Sequence, residues 1–178
     1  MRSKNTIIAG MDIGSSKVAC FIAEVGEEGE TPQVIGYGTC ASHGIKRGMV
    51  VDMDATESAI REAINMAEEM ADVQVGRVFV SLGGVHLRSH MTDGLVVLGN
   101  NEISQTDLDK VIEVARAKQL EGDRQIVHSL PMRYVLDDQL DIRDPKGMMG
   151  ARLEADVNII TAAKAPYRNV IRCVQRCN

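Results

Sequence analysis

The residues best suited to chemistry sit in one short bend near the start of the chain. Asp12, Gly14, Ser15, Ser16 and Lys17 lie between the apolar runs Ile7–Ile13 and Val18–Val25. An acid, a glycine, two hydroxyls and a lysine are what a phosphate needs beside it. Glycine admits tight bends, left-handed ones included, and lets the backbone approach a ligand closely. Successive N–H groups in such a bend can converge on an anion. Ser15 and Ser16 add hydroxyl donors, and Lys17 adds a compact cation with three more. Asp12, closing the first apolar run, is placed to hold magnesium through water, because that ion gives up its hydration shell reluctantly.

The bend is not a Walker A loop, which runs Gly-x-x-x-x-Gly-Lys-Ser/Thr between a strand and a helix. Gly10 and Gly14 are too close together for that pattern, and Lys17 follows the glycine by three residues instead of one. Val18, Cys20, Phe21, Ile22 and Val25 come next with no helix cap before them. Such β-branched and aromatic enrichment over a short span predicts a strand. The expected object is a β-hairpin whose bend holds phosphate.

Bulk composition narrows the classes. The chain has 178 residues, 44% apolar and 25% charged, which is a globular and not a disordered composition. Aromatics are 3%, so Ile, Val, Leu, Ala and Met must build the core. A formal charge of −5 without a basic stripe argues against nucleic acid as a partner. No apolar run approaches the ~18 residues that span a bilayer. Arg2 and Lys4 precede an apolar stretch that Asp12 interrupts, which reads against a signal peptide. Cys20, Cys40, Cys173 and Cys177 lack metal-binding spacing and read as reduced thiols of a cytosolic protein.

The elements that must position the bend follow in order. Gly26–Pro32 reads as a turn and Val34–Cys40 as a third strand, completing an antiparallel meander. His43–Gly48 carries two cations, Lys46 and Arg47, in a glycine-flanked loop; of a ligand contact and a solvated connection, the second is the preferred reading. From Asp54 the apolar period becomes helical: Ile60, Ala63, Ile64, Ala67 and Met70 share a face, and Asp54 with Glu57 resembles a capping box. Val78–Leu82 suits a buried strand, and Gly83-Gly84 marks a boundary. Beyond it come a strand from Val85 to Met91, a turn at Asp93-Gly94 and a strand from Leu95 to Leu98. His86 and His90 would then face the same way, as interface histidines and not a metal pair. A helix follows, capped by Ser104 with Asp107, carrying Leu108, Val111, Ile112 and Ala115 and stopping at Gly122. Ile126–Leu136 reads as a strand with an edge or bulge at Pro131. Leu153, Ala155, Val157 and Ile159 alternate with polar residues as a half-buried strand. Pro166 opens a last helix bearing Tyr167, Val170, Ile171 and Val174.

Asp12-Ile13-Gly14-Ser15-Ser16-Lys17 resembles the first phosphate motif of the superfamily of actin, heat-shock chaperones and sugar kinases. The stretch from Gly36 to Asp52, with its glycines at 36, 38, 44 and 48, resembles the third strand and crossing of the bacterial cell-division family FtsA. The likeness continues through Ser81-Leu82-Gly83-Gly84 to Arg172–Cys177.

That resemblance implies an α/β fold: a partial actin-like (ribonuclease-H-like) subdomain with an inserted small α+β subdomain. The boundaries it implies are 1–83, 84–162 for the insert and 163–178 for the return. It further implies ATP as ligand, contacted by Gly14, Ser15, Ser16 and Lys17, with Mg near Asp12. It implies no catalytic residue in this chain and at most a weak ATPase in a whole protein. The implied partners are FtsZ, copies of the protein itself in a filament, and later division proteins reached through residues 84–162. The implied place is the cytoplasmic face of the cell membrane at the division site, reached through a C-terminal helix beyond Asn178. With the opposing wall of the cleft also expected there, this chain alone should bind ATP weakly or not at all. Two other readings accompany it: a sugar kinase, suggested by Asp12–Lys17 alone, and a pilus-assembly relative using the insert for docking.

Overall fold

The hairpin forms as its alternation requires. Strand β1 (Thr6–Ile13) runs antiparallel to β2 (Lys17–Val25), with Thr6 opposite Val25 and Ile13 opposite Val18. Val18, Cys20 and Ile22 are fully buried, while Lys17 before them and Phe21 between the last two are exposed. Burying an aliphatic side chain of this size contributes about 1.5–3 kcal/mol over leaving it in water. The computed structural model describes residues 6–27, 30–118 and 122–177. The turn expected at Gly26–Pro32 therefore lies partly outside the described residues, at Glu28 and Gly29. The chain divides into two units: residues up to His86 with those from Ala165 onward, and Leu87–Lys164.

In the first unit β3 (Gln33–Ala41) adds antiparallel to β2. A small hairpin follows, β4 (Ile45–Lys46) and β5 (Met49–Val50), where the sequence suggested only a solvated connection. Helix α1 (Met53–Ala71) then crosses the sheet, and β6 (Phe79–Ser81) returns parallel to β1, giving the order β3-β2-β1-β6. The glycines of β3 explain how closely the helix sits. A Cβ on Gly36 would lie 2.2 Å from the Ala67 carbonyl oxygen, and one on Gly38 2.1 Å from that of Ala63. Backbone meets backbone there, so the buried stripe of α1 is made of small residues, Ala59, Ala63 and Ala67, with Thr56 and Ile60.

Two expectations for this helix need correction. Its cap is Asp52, whose carboxylate accepts from the Ala55 N–H at 3.0 Å. Asp54 sits inside the first turn, where an acid complements the positive helix end, and Glu57 takes an ion pair with Arg176 at 2.9 Å. Met70 is 67% exposed, because the stripe continues through Ala71 instead. On the sheet, exposed Phe21 and Tyr37 stack across β2 and β3 with ring centroids 5.0 Å apart.

The second unit opens with β7 (Leu87–Glu102), one continuous strand where the sequence suggested two strands and a turn at Asp93-Gly94. Gly94 is there for packing: it faces α2 (Gln105–Ala117), and a Cβ on it would lie 1.9 Å from the Val111 carbonyl oxygen. The strand kinks only at Gly99 and Asn100, both left-handed, with φ of 65° and 62°. Helix α2 is capped as its sequence suggests, the Asp107 carboxylate accepting from the Ser104 N–H and hydroxyl at 3.1 and 2.6 Å. It ends at Ala117, short of Gly122. β8 (Arg124–Leu136), β9 (Gln139–Ile142) and β10 (Met149–Ala163) complete an antiparallel sheet ordered β7-β10-β8-β9. Pro131 lies at a register shift between β8 and β10, the bulge a missing N–H demands. Leu153, Ala155, Val157 and Ile159 are fully buried beneath α2 and are joined there by Val111.

His86 precedes β7 and belongs to the first unit, whereas His90 lies within β7 in the second. They are not the same-face pair that a strand from Val85 would have made. Helix α3 (Lys164–Gln175) carries the chain back to the first unit, with Pro166 in its opening turn. Val170 and Cys173 are buried against the first core, and Arg61 of α1 donates to the Arg176 carbonyl at 2.9 Å.

Candidate functional site

The bend between β1 and β2 is closed by its own backbone. The Gly14 N–H donates to the Lys17 carbonyl at 2.9 Å. A Cβ on Gly14 would lie 3.0 Å from that same oxygen. Gly14 is absent from the left-handed glycines, so its value here is close approach and not the unusual dihedral the sequence also allowed for. The Ser42 N–H donates to the Ser16 carbonyl at 3.0 Å, tying the bend to the segment after β3.

Asp12 is exposed and lies opposite Ser81 of β6, whose hydroxyl donates to its carboxylate. The hydroxyl of Ser15 accepts from the Gly48 N–H at 3.2 Å. Gly48 and Arg47 form the loop between β4 and β5, both with left-handed φ, 75° and 51°. A Cβ on Gly48 would lie 2.0 Å from the Gly83 carbonyl oxygen, so this loop is wedged against Gly83-Gly84.

These pieces enclose a cleft of about 580 Å³ lined by Asp12, Ile13, Gly14, Ser15, Arg47, Gly48 and the run Gly83–Val85. Of the residues singled out from the sequence, the fold brings Asp12, Gly14 and Ser15 to this cleft. Ser16 and Lys17, though exposed in the same bend, are not among its lining residues. The cation among its lining residues is Arg47, whose loop the sequence offered as a ligand contact only second to a solvated connection. An Arg-Gly pair between two short apolar runs was the available signal, since two-residue hairpin loops favour left-handed residues.

The arrangement fits an anion. Backbone amides of a tight bend, a serine hydroxyl, an arginine among the lining residues and four glycines leave room and donors for a phosphate chain. It fits magnesium only indirectly. Among the described residues no group of three His, Cys, Asp or Glu could hold a metal. Asp12 alone, already accepting from Ser81, would act through the ion's own water. Asp12 is the one carboxylate among the lining residues.

The cysteine thiols stand apart from it. All four are free. Burial first, then the nearby Glu57, pushes Cys173 up to about 11. The Cys40 thiol is raised chiefly by its hydrogen bond to Glu62, at 3.1 Å. Raised thiols are poor nucleophiles at neutral pH.

Comparison with known proteins places these features. The family model described as the SHS2 domain inserted in FtsA matches residues 84–161. The cell division protein FtsA of Pseudomonas aeruginosa is 38% identical over 171 residues, which is 96% of this chain and 41% of that protein. FtsA of Neisseria meningitidis is 39% identical over 99% of this chain and 42% of its own length. FtsA of Escherichia coli K12 is 32% identical over 96% and 40%. The chain thus spans about two fifths of the length of the curated relatives it matches. Among solved structures, a PilM-PilN type IV pilus biogenesis complex superposes with a TM-score of 0.60 at 14% identity, covering 99% of this chain and 45% of that one. At that identity the likeness concerns the fold alone. The fold is the expected one, an actin-like α/β unit carrying an inserted small subdomain.

Proposed function

We propose, with the chain's relation to the FtsA cell-division proteins as premise, that it is the phosphate-gripping part of an actin-like division protein. The observation that carries this is the 38–39% identity to FtsA across 96–99% of the chain, shared by both units. In this reading Gly14, Ser15, Ser16 and Lys17 contact the phosphates of ATP, and Asp12 sits near Mg through water. The Gly14 approach, the Ser15 hydroxyl and the lining of the cleft support it. The inserted module, residues 84–162, offers surface to neighbouring copies and to later division proteins. The whole protein polymerises at the cytoplasmic face of the membrane and tethers the FtsZ ring there.

A hybrid gene tests this. The corresponding two fifths of P. aeruginosa FtsA are replaced by this chain, and native FtsA is depleted. Septation by cells carrying the hybrid is the expected result. A hybrid present at normal level in cells that grow as undivided filaments would overturn the reading. Assaying the same cells for pilus-dependent motility separates division from pilus assembly, and a phosphorylation screen on common sugars addresses the kinase alternative.

A further inference from the structure

We propose that Arg47 is a ligand-binding residue of this cleft, taking the outermost phosphate of a nucleoside triphosphate and so making the site distinguish triphosphate from diphosphate. This rests on the phosphate reading of the bend, and it adds a residue and a selectivity that the bend motif does not contain. Arg47 is the first of two left-handed residues in the β4–β5 loop, with φ 51°. Glycine, asparagine and aspartate favour that position, and a bulky side chain does not. An unfavourable conformation persists where the surroundings dictate it, and here they do. Gly48 is tied to Ser15 at 3.2 Å. A Cβ on Gly84 would come 2.6 Å from the Arg47 carbonyl oxygen. The loop is therefore a fixed wall of the cleft.

Charge points the same way. Arg47 is the sole cation among the residues lining the cleft, and the sole acid, Asp12, already accepts from the Ser81 hydroxyl. No ion pair among the described residues engages the Arg47 guanidinium. A planar guanidinium binds phosphate through two parallel N–H donors, a geometry that an ammonium cannot offer. The outermost phosphate has three free oxygens and the largest charge, so that fork gains most there. The bend, with Gly14 and Ser15, is left to hold the inner phosphates common to both nucleotides.

The test titrates the 15N-labelled chain with Mg·ATP and with Mg·ADP, following the amides of Gly14, Ser15 and Gly48. Arg47→Gln removes the charge. Arg47→Asn removes it with a residue that accepts the left-handed conformation, so that a collapsed loop is not mistaken for a lost contact. The wild-type chain should bind both nucleotides weakly and prefer ATP. Each variant should raise the Kd for ATP about tenfold, the scale of one charge-assisted contact, and change that for ADP less than about twofold. Equal weakening for both nucleotides overturns the inference. So does an unchanged Arg47→Gln when Lys17→Gln weakens both, an outcome that leaves the phosphate reading standing. Because the opposing wall of the cleft is expected beyond this chain, the titration is repeated on the hybrid that joins it to the remaining three fifths of P. aeruginosa FtsA. A hybrid in which neither nucleotide moves the Gly14 or Ser15 amides overturns the phosphate reading, and the inference with it.

Discussion

The two units meet the same packing problem in the same way and then put their turns to different uses. In each, one helix lies on one face of a sheet at backbone distance, because a strand beneath it carries glycine where the helix backbone passes. α1 sits on Gly36 and Gly38 of β3, and α2 sits on Gly94 of β7, with spaces of 2.2, 2.1 and 1.9 Å where a Cβ would go. The difference lies at the strand ends. The first unit gathers Gly14, Ser15, Arg47 and Gly48 into a cleft. In the second, polar residues pair with one another in the Ser104–Asp107 cap and in ion pairs such as Arg133–Asp156 at 2.5 Å. Its own cleft, beside Asp109, Arg116 and His128, is lined by no glycine. A scaffold rule shared by both units thus says nothing about where the chemistry is. The turns say it.

The sharpest way to break this comparison is to fill the glycine positions. Gly38→Val and Gly94→Val should each destabilise by about 3 kcal/mol, at the upper end of ordinary overpacking because the atoms struck are backbone. Gly10→Ala is the control, since nothing lies within 4 Å of a Cβ there; it should change stability by less than about 0.5 kcal/mol. Guanidinium unfolding measures all three. A Gly38→Val protein as stable as wild type would remove the claim of backbone contact.

Next come the helix caps. Asp52→Ala and Ser104→Ala should each cost about 1 kcal/mol, read as a lower unfolding midpoint. An asymmetry between them would show that the reciprocal cap of α2 and the single bond of α1 are not equivalent.

Smaller still is the acid response of the second unit. The Ser104 hydroxyl and N–H, helped by Lys110, hold the Asp107 carboxyl below its ordinary 3.8. A depressed carboxyl contributes stability above its unfolded pKa and loses it as pH falls through the folded value. The Ser104→Ala protein should therefore lose less stability below pH 3.8 than wild type does, relative to each at neutral pH.

The first unit responds at the other end of the scale. Cys173 is raised from 9.0 to about 11, so its neutral thiol favours the folded state below pH 9, and that advantage is lost as pH climbs towards 11. Cys173→Ala should flatten part of this alkaline decline. Under mild alkylation the half-buried Cys40 should react well before the buried Cys173, whose accessibility is zero; mass spectrometry of partially labelled protein reads the order.

Where sequence reasoning failed, the cause was distance along the chain. Gly94 beside Asp93 looks like a turn, because local propensity cannot register that Val111 passes 17 positions later. Met70 fits the helical period of Ile60 and Ala63, yet α1 packs at backbone distance on the glycines of β3, burying alanines and leaving the methionine in solvent. Ligand contact by the Arg47 loop ranked below a solvated connection, since nothing within ten residues shows that Gly83 and Gly84 come to meet it. The alternating strands and the Ser104 cap were legible because their partners lie close by or their period is self-contained.

The amino-acid order by itself settled the hairpin and its polar bend, the helical and alternating segments, and a likeness to a division-protein family. Those depend on neighbours within a few positions, where backbone preference and hydrophobic period dominate. Only the folded chain decided which glycines serve packing and which serve the cleft, and which cation stands in it. That choice depends on groups tens of residues apart meeting at backbone distance, where the presence of one Cβ changes what can touch.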